Sequence, residues 1–224
     1  MLGTRFLVAA VIGSGIAASR LSPDDLGLQL LENSLVTGAA LVALILALQP
    51  VSASFNPVVT LVERAWGLVT TREASALVVA QIIGACAGAV LANLMFGLDA
   101  VSISSTTRGS GGHWLGEVVA TFGLVVVIFG SLRSGRVDTV AFTVGGYITA
   151  AYWFTSSTSF ANPAVTVARM FSDTFAGIAP SSVPGFVLVQ LVGGALGLVA
   201  VGYLFPHPHP DALDASLDSP EVTR

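Results

Sequence analysis

Charged residues are scarce in this chain, and lysine is absent. Of the 224 residues, 10% are charged, all nine basic residues are arginine, and 54% are hydrophobic. Soluble domains carry about 25% charged residues, so this composition argues against a water-soluble enzyme. The sequence also has no basic cluster that could hold a nucleic-acid backbone, which excludes nucleic acid as a partner. With a mean hydropathy of +0.83, most of the chain has to contact the lipid bilayer.

Cysteine and histidine are also rare. The single cysteine, Cys86, lies in an apolar run, which excludes an intrachain disulfide and predicts a packed thiol. Two of the three histidines, His207 and His209, follow the last apolar run. The sequence therefore predicts no metal site and no cofactor. It also lacks the nucleophile with a base, or the metal cluster, that an intramembrane enzyme would need.

Long apolar runs are abundant and predict an all-α membrane protein. Only helices and closed barrels satisfy their backbone groups in lipid, and unbroken runs of about 20 residues favour helices. Six such runs are present, at 2–20, 30–50, 74–97, 114–132, 138–156 and 184–205. Two shorter pieces, 56–66 and 162–172, each begin with Asn-Pro and are too short to cross. Residues 206–224 are acidic and proline-rich, which predicts a disordered tail.

The chain repeats itself. SASFNPVVTLVER (52–64) matches STSFANPAVTVAR (157–169), and AQIIGACAGAVLANLMF (80–96) matches VQLVGGALGLVAVGYLF (189–205). Each half, about 1–100 and 110–205, thus holds three spans and one half-length piece. An odd number of spans makes the second half insert upside down relative to the first, which places a site at the midplane where the halves meet. We therefore expect one domain over 1–205.

The two Asn-Pro pairs predict the starts of two half helices. Asn is a good helix cap and Pro suits the first helical turn, so Asn56-Pro57 and Asn162-Pro163 read as helix N-termini. In inverted halves these N-termini face each other at the bilayer centre, each with about half a positive charge, and repel cations and protons. The two carboxamides can donate hydrogen bonds to a passing neutral solute. This arrangement favours a passive conduit for neutral hydroxylated solutes.

A second class of protein shares inverted repeats and broken helices, namely the ion- or proton-coupled secondary transporter. Coupling needs titratable or ion-coordinating groups at the midplane, and Glu117 is the one candidate carboxylate, because Glu32 and Asp138 stand within three residues of the end of a predicted span. The transporter is therefore the weaker alternative.

The paired N-P-[AV]-V-T half helices, with Gln and small residues on the following spans, resemble the aquaporin or major intrinsic protein family over residues 1 to about 205. The resemblance implies six membrane helices, two re-entrant half helices and a homotetramer with one pore per subunit. It implies that Glu117 braces a re-entrant loop through hydrogen bonds, with a counterpart in the first span that would fall just before Met1. The implied pore motifs are Asn56, Pro57, Val58, Asn162, Pro163 and Ala164.

The resemblance also implies a selectivity ring. By the family's spacing its members are Val36 or Thr37 on the second span, Ala150 on the fifth, Ser159 and Val165. Water-selective members carry Arg at the position of Val165, whereas here Arg169 lies one turn further on, where we expect a structural or loop-bracing role. A ring of small, mostly apolar residues is wider than a water-selective one, so larger solutes are expected to fit.

Solute and location follow from further resemblance and from charge. GAALVALILALQPVSASFNPVVT and WFTSSTSFANPAVTVAR resemble a bacterial branch often linked to arsenic resistance, which implies arsenous acid or methylated arsenicals as solutes; water and glycerol are equally allowed. A cytoplasmic N-terminus leaves only Arg20 and Arg108 in outer loops. We therefore expect a bacterial-type plasma (inner) membrane protein with both termini in the cytoplasm. In this orientation five arginines lie on the cytoplasmic side: Arg5, Arg64, Arg72, Arg133 and Arg136.

Overall fold

The computed structural model describes residues 1–206, and it confirms the predicted all-α architecture. The helices are α1 (Leu2–Leu21), α2 (Leu26–Leu48), α3 (Pro57–Ala65), α4 (Thr71–Met95), α5 (Gly111–Arg133), α6 (Val140–Phe154), α7 (Pro163–Arg169) and α8 (Val183–Leu204). Short 3-10 turns at Val137–Thr139 and Pro180–Ser182 precede α6 and α8. His207, His209 and the rest of the predicted tail from residue 207 onward lie outside the described residues.

Six helices are long and two are short. Five of the long ones have the length and hydropathy to cross a bilayer, while α6 has 15 residues. The second half helix ends at Arg169, earlier than the apolar piece 162–172 suggested. The carbonyl of Phe171 instead accepts hydrogen bonds from Asn93 Nδ2 (2.9 Å) and from Ser102 N–H (3.1 Å), so the chain turns away from the helix axis there.

Polar side chains fix where several helices begin. Asp25 caps α2 by accepting a hydrogen bond from Leu28 N–H (2.9 Å), and Ser110 caps α5 in the same way through His113 N–H (3.2 Å). Thr70 and Glu73 form a reciprocal capping box at the start of α4. These caps satisfy backbone donors that have no partner inside a helix.

The two halves pack by equivalent contacts. Gly84 and Gly88 of α4 lie against the backbone of Met1 and Arg5 at the start of α1, and their repeat equivalents Gly193 and Gly197 of α8 lie against α5. A Cβ atom at any of these four positions would collide with the neighbouring helix. Small residues at this spacing therefore bring the helices together closely enough to bury α1 and α5 inside the bundle.

The outer surface of the bundle is apolar. Leu188 is 63% exposed and Val199 is 69% exposed, whereas the polar Gln81 and Gln190 are buried. A surface of this kind is stable where lipid replaces water. The protein is therefore an integral membrane protein whose polar groups face inward.

Candidate functional site

A cavity of about 200 Å³ lies in the centre of the bundle, between the two halves. Its walls are mainly apolar side chains from α1, α2, α5 and α6. Its polar groups lie at the centre and at the two ends. We call one end the Arg169 mouth, which comprises Thr37, Tyr152, Ser159, Val165 and Arg169, and the other the Glu63 mouth, which comprises Gln49, Ser54, Glu63, Leu132 and Val140.

The centre of the cavity is formed by Asn56 and Asn162, which cap α3 and α7. Each Oδ1 accepts a hydrogen bond from the N–H two residues on, Val58 and Ala164 respectively, at 3.0 Å. Each amide also donates across to the other re-entrant loop, Asn56 Nδ2 to Ala161 O (2.6 Å) and Asn162 Nδ2 to the carbonyl of the residue before Asn56 (2.9 Å). One N–H of each amide is thereby used, and the second is left to face the cavity that both side chains line.

The loop before Asn162 has a demanding backbone. Thr158, Ser159 and Ala161 have φ values of 60°, 48° and 47°, in the left-handed region that favours glycine. The buried carboxylate of Glu117 holds this path by accepting hydrogen bonds from Phe160 N–H and Ala161 N–H, both at 2.8 Å. Such backbone persists only where its surroundings over-determine it, and here the carboxylate does so.

Two buried glutamines support the half helices at repeat-equivalent positions. Gln190 Nε2 donates to Glu117 (2.6 Å) and to the Thr166 hydroxyl (2.8 Å). Gln81 Nε2 likewise donates to a threonine hydroxyl, that of Thr60 (2.9 Å). Its second hydrogen bond goes to the backbone carbonyl of Ser54 (2.7 Å), whereas that of Gln190 goes to a carboxylate. The first half thus ties its loop directly to α4, without an acidic residue between them.

The Arg169 mouth is ringed by hydroxyl groups. Thr37 Oγ1 and Tyr152 OH lie 3.2 Å apart and join α2 to α6 through a hydrogen bond. Ser159 is 3% exposed, and its Oγ has no hydrogen-bond partner within residues 1–206. Val165 completes the ring with an apolar side chain. The ring therefore holds an unused hydroxyl beside an apolar surface, which suits a solute with both kinds of surface.

Two predicted ring members lie elsewhere. Val36 is 45% exposed and Ala150 is also exposed, so both lie on the outer surface of the bundle and their assignment to the ring is wrong. Consecutive residues of a helix point about 100° apart, so Val36 faces away from the cavity when Thr37 faces into it. On α6, Ile148 and Tyr152 line the cavity four residues apart, and Ala150 between them lies on the opposite face.

Arg169 lines the cavity and also holds a loop. It is 2% exposed, and its Nε donates a hydrogen bond to Ala176 O. Its guanidinium lies 3.4 Å from the centre of the Phe160 ring, and that of Arg108, from the segment before α5, lies 5.2 Å from the same ring. Burial lowers the pKa of Arg108, and the nearby Glu117 carboxylate opposes that shift. Arg169, although one helical turn beyond the position of Val165, therefore remains part of the cavity wall.

Arg108 connects the segments around this mouth. Its backbone N–H donates to Ser182 Oγ (2.9 Å), and its Nε donates to Gly177 O (3.0 Å). A weaker contact of 3.5 Å joins its Nη1 to Ser157 O. These contacts fix the segment before α5 against the loops on either side of α7.

Comparison with known proteins agrees with this geometry. The family model described as Major intrinsic protein matches residues 1–138, more than half of the chain. Aquaglyceroporin AqpS of Rhizobium meliloti (strain 1021) is 50% identical over 210 residues, which cover 93% of this chain and 89% of that protein. The chain belongs to the major intrinsic protein family.

More distant relatives in the family come from other kingdoms of life. Probable aquaporin AqpM of Archaeoglobus fulgidus is 30% identical over 180 residues, covering 74% of this chain and 71% of that protein. Aquaporin-5 of Ovis aries is 28% identical over 227 residues, covering 92% and 79%.

As a major intrinsic protein the chain is a passive membrane channel for small neutral solutes and not an enzyme. The geometry is consistent with this class. Glu117, the carboxylate considered for coupling, does not line the cavity, and its oxygens are occupied by the loop and by Gln190. Glu117 is therefore not available as a coupling group, and family membership decides against the transporter alternative.

Sequence reasoning missed two residues of this major intrinsic protein's cavity, Tyr152 and Glu63. Tyr152 lines the cavity together with Val144 and Ile148, which share its face of α6. Glu63 is the repeat partner of Arg169, seven residues after Asn56 as Arg169 is seven residues after Asn162. The sequence held a signal for both, because each is a polar residue on the same helical face as another cavity residue. Tyr152 follows Ile148 by four residues, and Glu63 follows Asn56 by seven.

Proposed function

We propose that the cavity passes water, glycerol-sized polyols and uncharged metalloid hydroxides such as arsenous acid or methylated arsenicals. The observation that supports this most is the central asparagine pair, in which each amide has one N–H fixed across the cavity and one left for a solute. Such solutes present hydroxyl groups to the amides and tolerate the apolar walls. The printed name of the relative at 50% identity, an aquaglyceroporin, points to the same size class.

The residues of the Arg169 mouth support the larger solutes. Val165 stands where the resemblance expects an arginine, and Arg169, one turn away, is drawn against Phe160 and Ala176. We assign Thr37, Ser159 and Val165 to the selectivity ring and add Tyr152. The pore motifs are Asn56, Pro57, Val58, Asn162, Pro163 and Ala164, with Glu117 as the brace of the second loop.

Exclusion of protons and cations belongs to the same proposal. Helices α3 and α7 begin at the two asparagines, and each asparagine lies against the loop of the other half. The positive ends of the two helices therefore face the same point. A cation at that point meets fixed positive potential and loses its hydration, whereas a neutral solute loses only hydrogen bonds that the amides replace.

For the assembly, we propose a homotetramer in the plasma membrane of a bacterium, with both termini cytoplasmic and residues 1–205 as one channel domain. The apolar outer face of the bundle and the arginine distribution support this arrangement. Cross-linking in native membranes would test the subunit number, and accessibility of cysteines introduced at Ser134 and Ser105 would test the orientation.

The solute proposal is tested by stopped-flow measurements on proteoliposomes that contain the protein. We expect light-scattering changes that report entry of water, glycerol and arsenous acid, each faster than in empty vesicles and each unaffected by a proton or sodium gradient. Glycerol entry no faster than in empty vesicles would overturn the proposal, and dependence on an ion gradient would show a coupled transporter instead.

A further inference from the structure

Glu63 is the only acidic side chain in the cavity wall within residues 1–206. It is the seventh residue after Asn56, and seven residues of helix advance about 10 Å, so it lies well away from the central amides. Its side chain is half-buried at the Glu63 mouth, which also includes the apolar Leu132 and Val140. A solute that passes this mouth therefore moves close to a carboxyl group set among apolar side chains.

The wall between the central amides and this mouth is apolar. Val59 and Ile128 line the cavity one helical turn before Glu63 and Leu132 respectively. A hydroxylated solute that has shed water to enter this stretch finds no hydrogen-bond partner on those side chains, which is unfavourable for its hydroxyl groups. The polar groups that it meets next at the mouth therefore affect how easily it continues.

The acceptors of the first re-entrant loop are already bonded. Ser54 O accepts a hydrogen bond from Gln81 Nε2 (2.7 Å), and Phe55 O accepts one from Asn162 Nδ2 (2.9 Å). The Ser54 hydroxyl is bonded as well, since its oxygen lies 2.7 Å from Thr60 Oγ1. These groups keep the loop in place, and they have little acceptor capacity left for a solute.

Donors predominate on the rest of the path. Asn56 and Asn162 each leave one amide N–H for a solute, and Arg169 contributes a guanidinium at the other mouth. Solute hydroxyl groups accept hydrogen bonds from these donors, but their own O–H groups need acceptors. A carboxyl group has an acceptor oxygen whether or not it is protonated, so Glu63 supplies the kind of group in which the path is poor.

We propose that Glu63 forms a solute subsite at this mouth, at which its carboxyl oxygens accept hydrogen bonds from polyhydroxylated neutral solutes such as glycerol. The inference deepens the proposed function and rests on it, because the subsite matters only in a pore that passes such solutes. Water depends less on the subsite, since a water molecule is small enough to keep other water molecules as hydrogen-bond partners. Glu63 is thus a residue that favours polyols over water.

The test measures water entry and glycerol entry by stopped flow on the same proteoliposomes. Glu63→Met keeps an unbranched side chain of similar length and removes both acceptor oxygens. Glu63→Gln removes the ionisable group but keeps one acceptor oxygen, so it separates hydrogen bonding from charge. Water entry reports that the pore is folded and open in each variant.

We expect Glu63→Met to lower glycerol entry about tenfold, because the solute loses its acceptor at the mouth. Glu63→Gln should lower glycerol entry by no more than about twofold, and water entry should stay within about twofold of the unmodified protein in both variants. The matched control is Asp138→Met, which replaces an exposed acid of the turn before α6 that does not line the cavity, and it should change neither rate.

Glycerol entry in Glu63→Met equal to that of the unmodified protein, with water entry intact, overturns the subsite. An equal loss of glycerol entry in Glu63→Gln and Glu63→Met also overturns it, because an acceptor oxygen would then make no difference. Should Glu63→Met pass no water, Glu63→Leu is measured with the same expected result. An unmodified protein that passes water but no glycerol overturns the proposed function instead, so the two failures are distinguishable.

Discussion

The loop before Asn162 is held by a buried carboxylate, whereas the loop before Asn56 is held by an amide and two hydroxyl groups. Glu117 accepts two backbone hydrogen bonds from the second loop, which includes three non-glycine residues at positive φ. In the first loop Gln81 donates to Ser54 O, and Ser54 Oγ lies 2.7 Å from Thr60 Oγ1. Among the non-glycine residues described, positive φ is confined to the second loop.

The difference shows which features the two halves share and which they do not. Both halves keep the capping asparagine, the proline after it, and the threonine that accepts from a buried glutamine. The means of holding each loop differ, and so does the charge at the seventh position, Glu63 in one half and Arg169 in the other. Symmetry is retained where the halves meet and is lost toward the two mouths.

The largest expected effect comes from removing the carboxylate brace. Glu117→Ala should lower the free energy of unfolding by about 4 kcal/mol, because two backbone N–H groups and Gln190 lose a charged acceptor. Glycerol permeability should fall at least about tenfold as the second loop leaves its path. The measurements are thermal stability in detergent and glycerol entry per reconstituted protein.

Gln81→Ala is the matched variant in the first half. It removes two neutral hydrogen bonds, so its effect on stability should be about half as large. A Glu117→Ala protein as stable as Gln81→Ala would show that the two loops are held equally well and that the carboxylate is not the main support.

For the two asparagines at the midplane, the comparison predicts equal losses of stability on substitution. Asn56→Ala and Asn162→Ala each remove one helix cap and one hydrogen bond to the opposite loop, so each should lower stability by about 2 kcal/mol. Thermal unfolding of the two variants, side by side, tests this. A difference between them larger than about 2 kcal/mol would contradict equivalence of the halves at their meeting point.

At the Arg169 mouth, Val165→Arg should narrow the ring. Entry of glycerol and arsenous acid should fall about tenfold while water entry falls about twofold, because a long charged side chain blocks the larger solutes first. Stopped-flow rates for the three solutes measure this. Val165→Leu, which adds bulk without charge, is the control; equal loss of all three solutes in Val165→Arg would argue that Val165 is not part of the ring.

The smallest effect is expected at the hydrogen bond between α2 and α6. Tyr152→Phe removes the bond to Thr37 and frees that hydroxyl for a solute, so glycerol entry should rise about twofold with a stability loss of about 1 kcal/mol. Tyr147→Phe is the control, since Tyr147 OH donates to Val119 O and Ala120 O outside the cavity. The same rise in both variants would contradict a specific role for Tyr152.

Much of the fold was predictable because lipid imposes a simple rule. Backbone groups in hydrocarbon must be paired within a helix, so runs of about 20 apolar residues reveal the spans directly. The repeat and the two Asn-Pro pairs then indicated inversion and the half helices. The ends were less certain: α7 stops at Arg169 because Asn93 and Ser102 take the carbonyl of Phe171, a contact between distant segments.

The ring was only partly predictable. Thr37, Ser159 and Val165 line the cavity, but Val36 and Ala150 face outward, because counting by family spacing fixes a position along a helix and not its rotation. Rotation is set by which face packs against neighbours, and an error of one residue turns a side chain by about 100°.

The sequence by itself determined that this chain spans a membrane, that its halves are inverted, and that two asparagines begin half helices, because these follow from composition, parity and local capping. Only the tertiary structure decided that the amides of Asn56 and Asn162 bind each other's loops, that Tyr152 closes the ring, and that Arg169 stays in the cavity wall. The first two outcomes depend on contacts between residues more than 100 positions apart. The third depends on how the loops on either side of α7 fold back against its end, which the local pattern of residues does not fix.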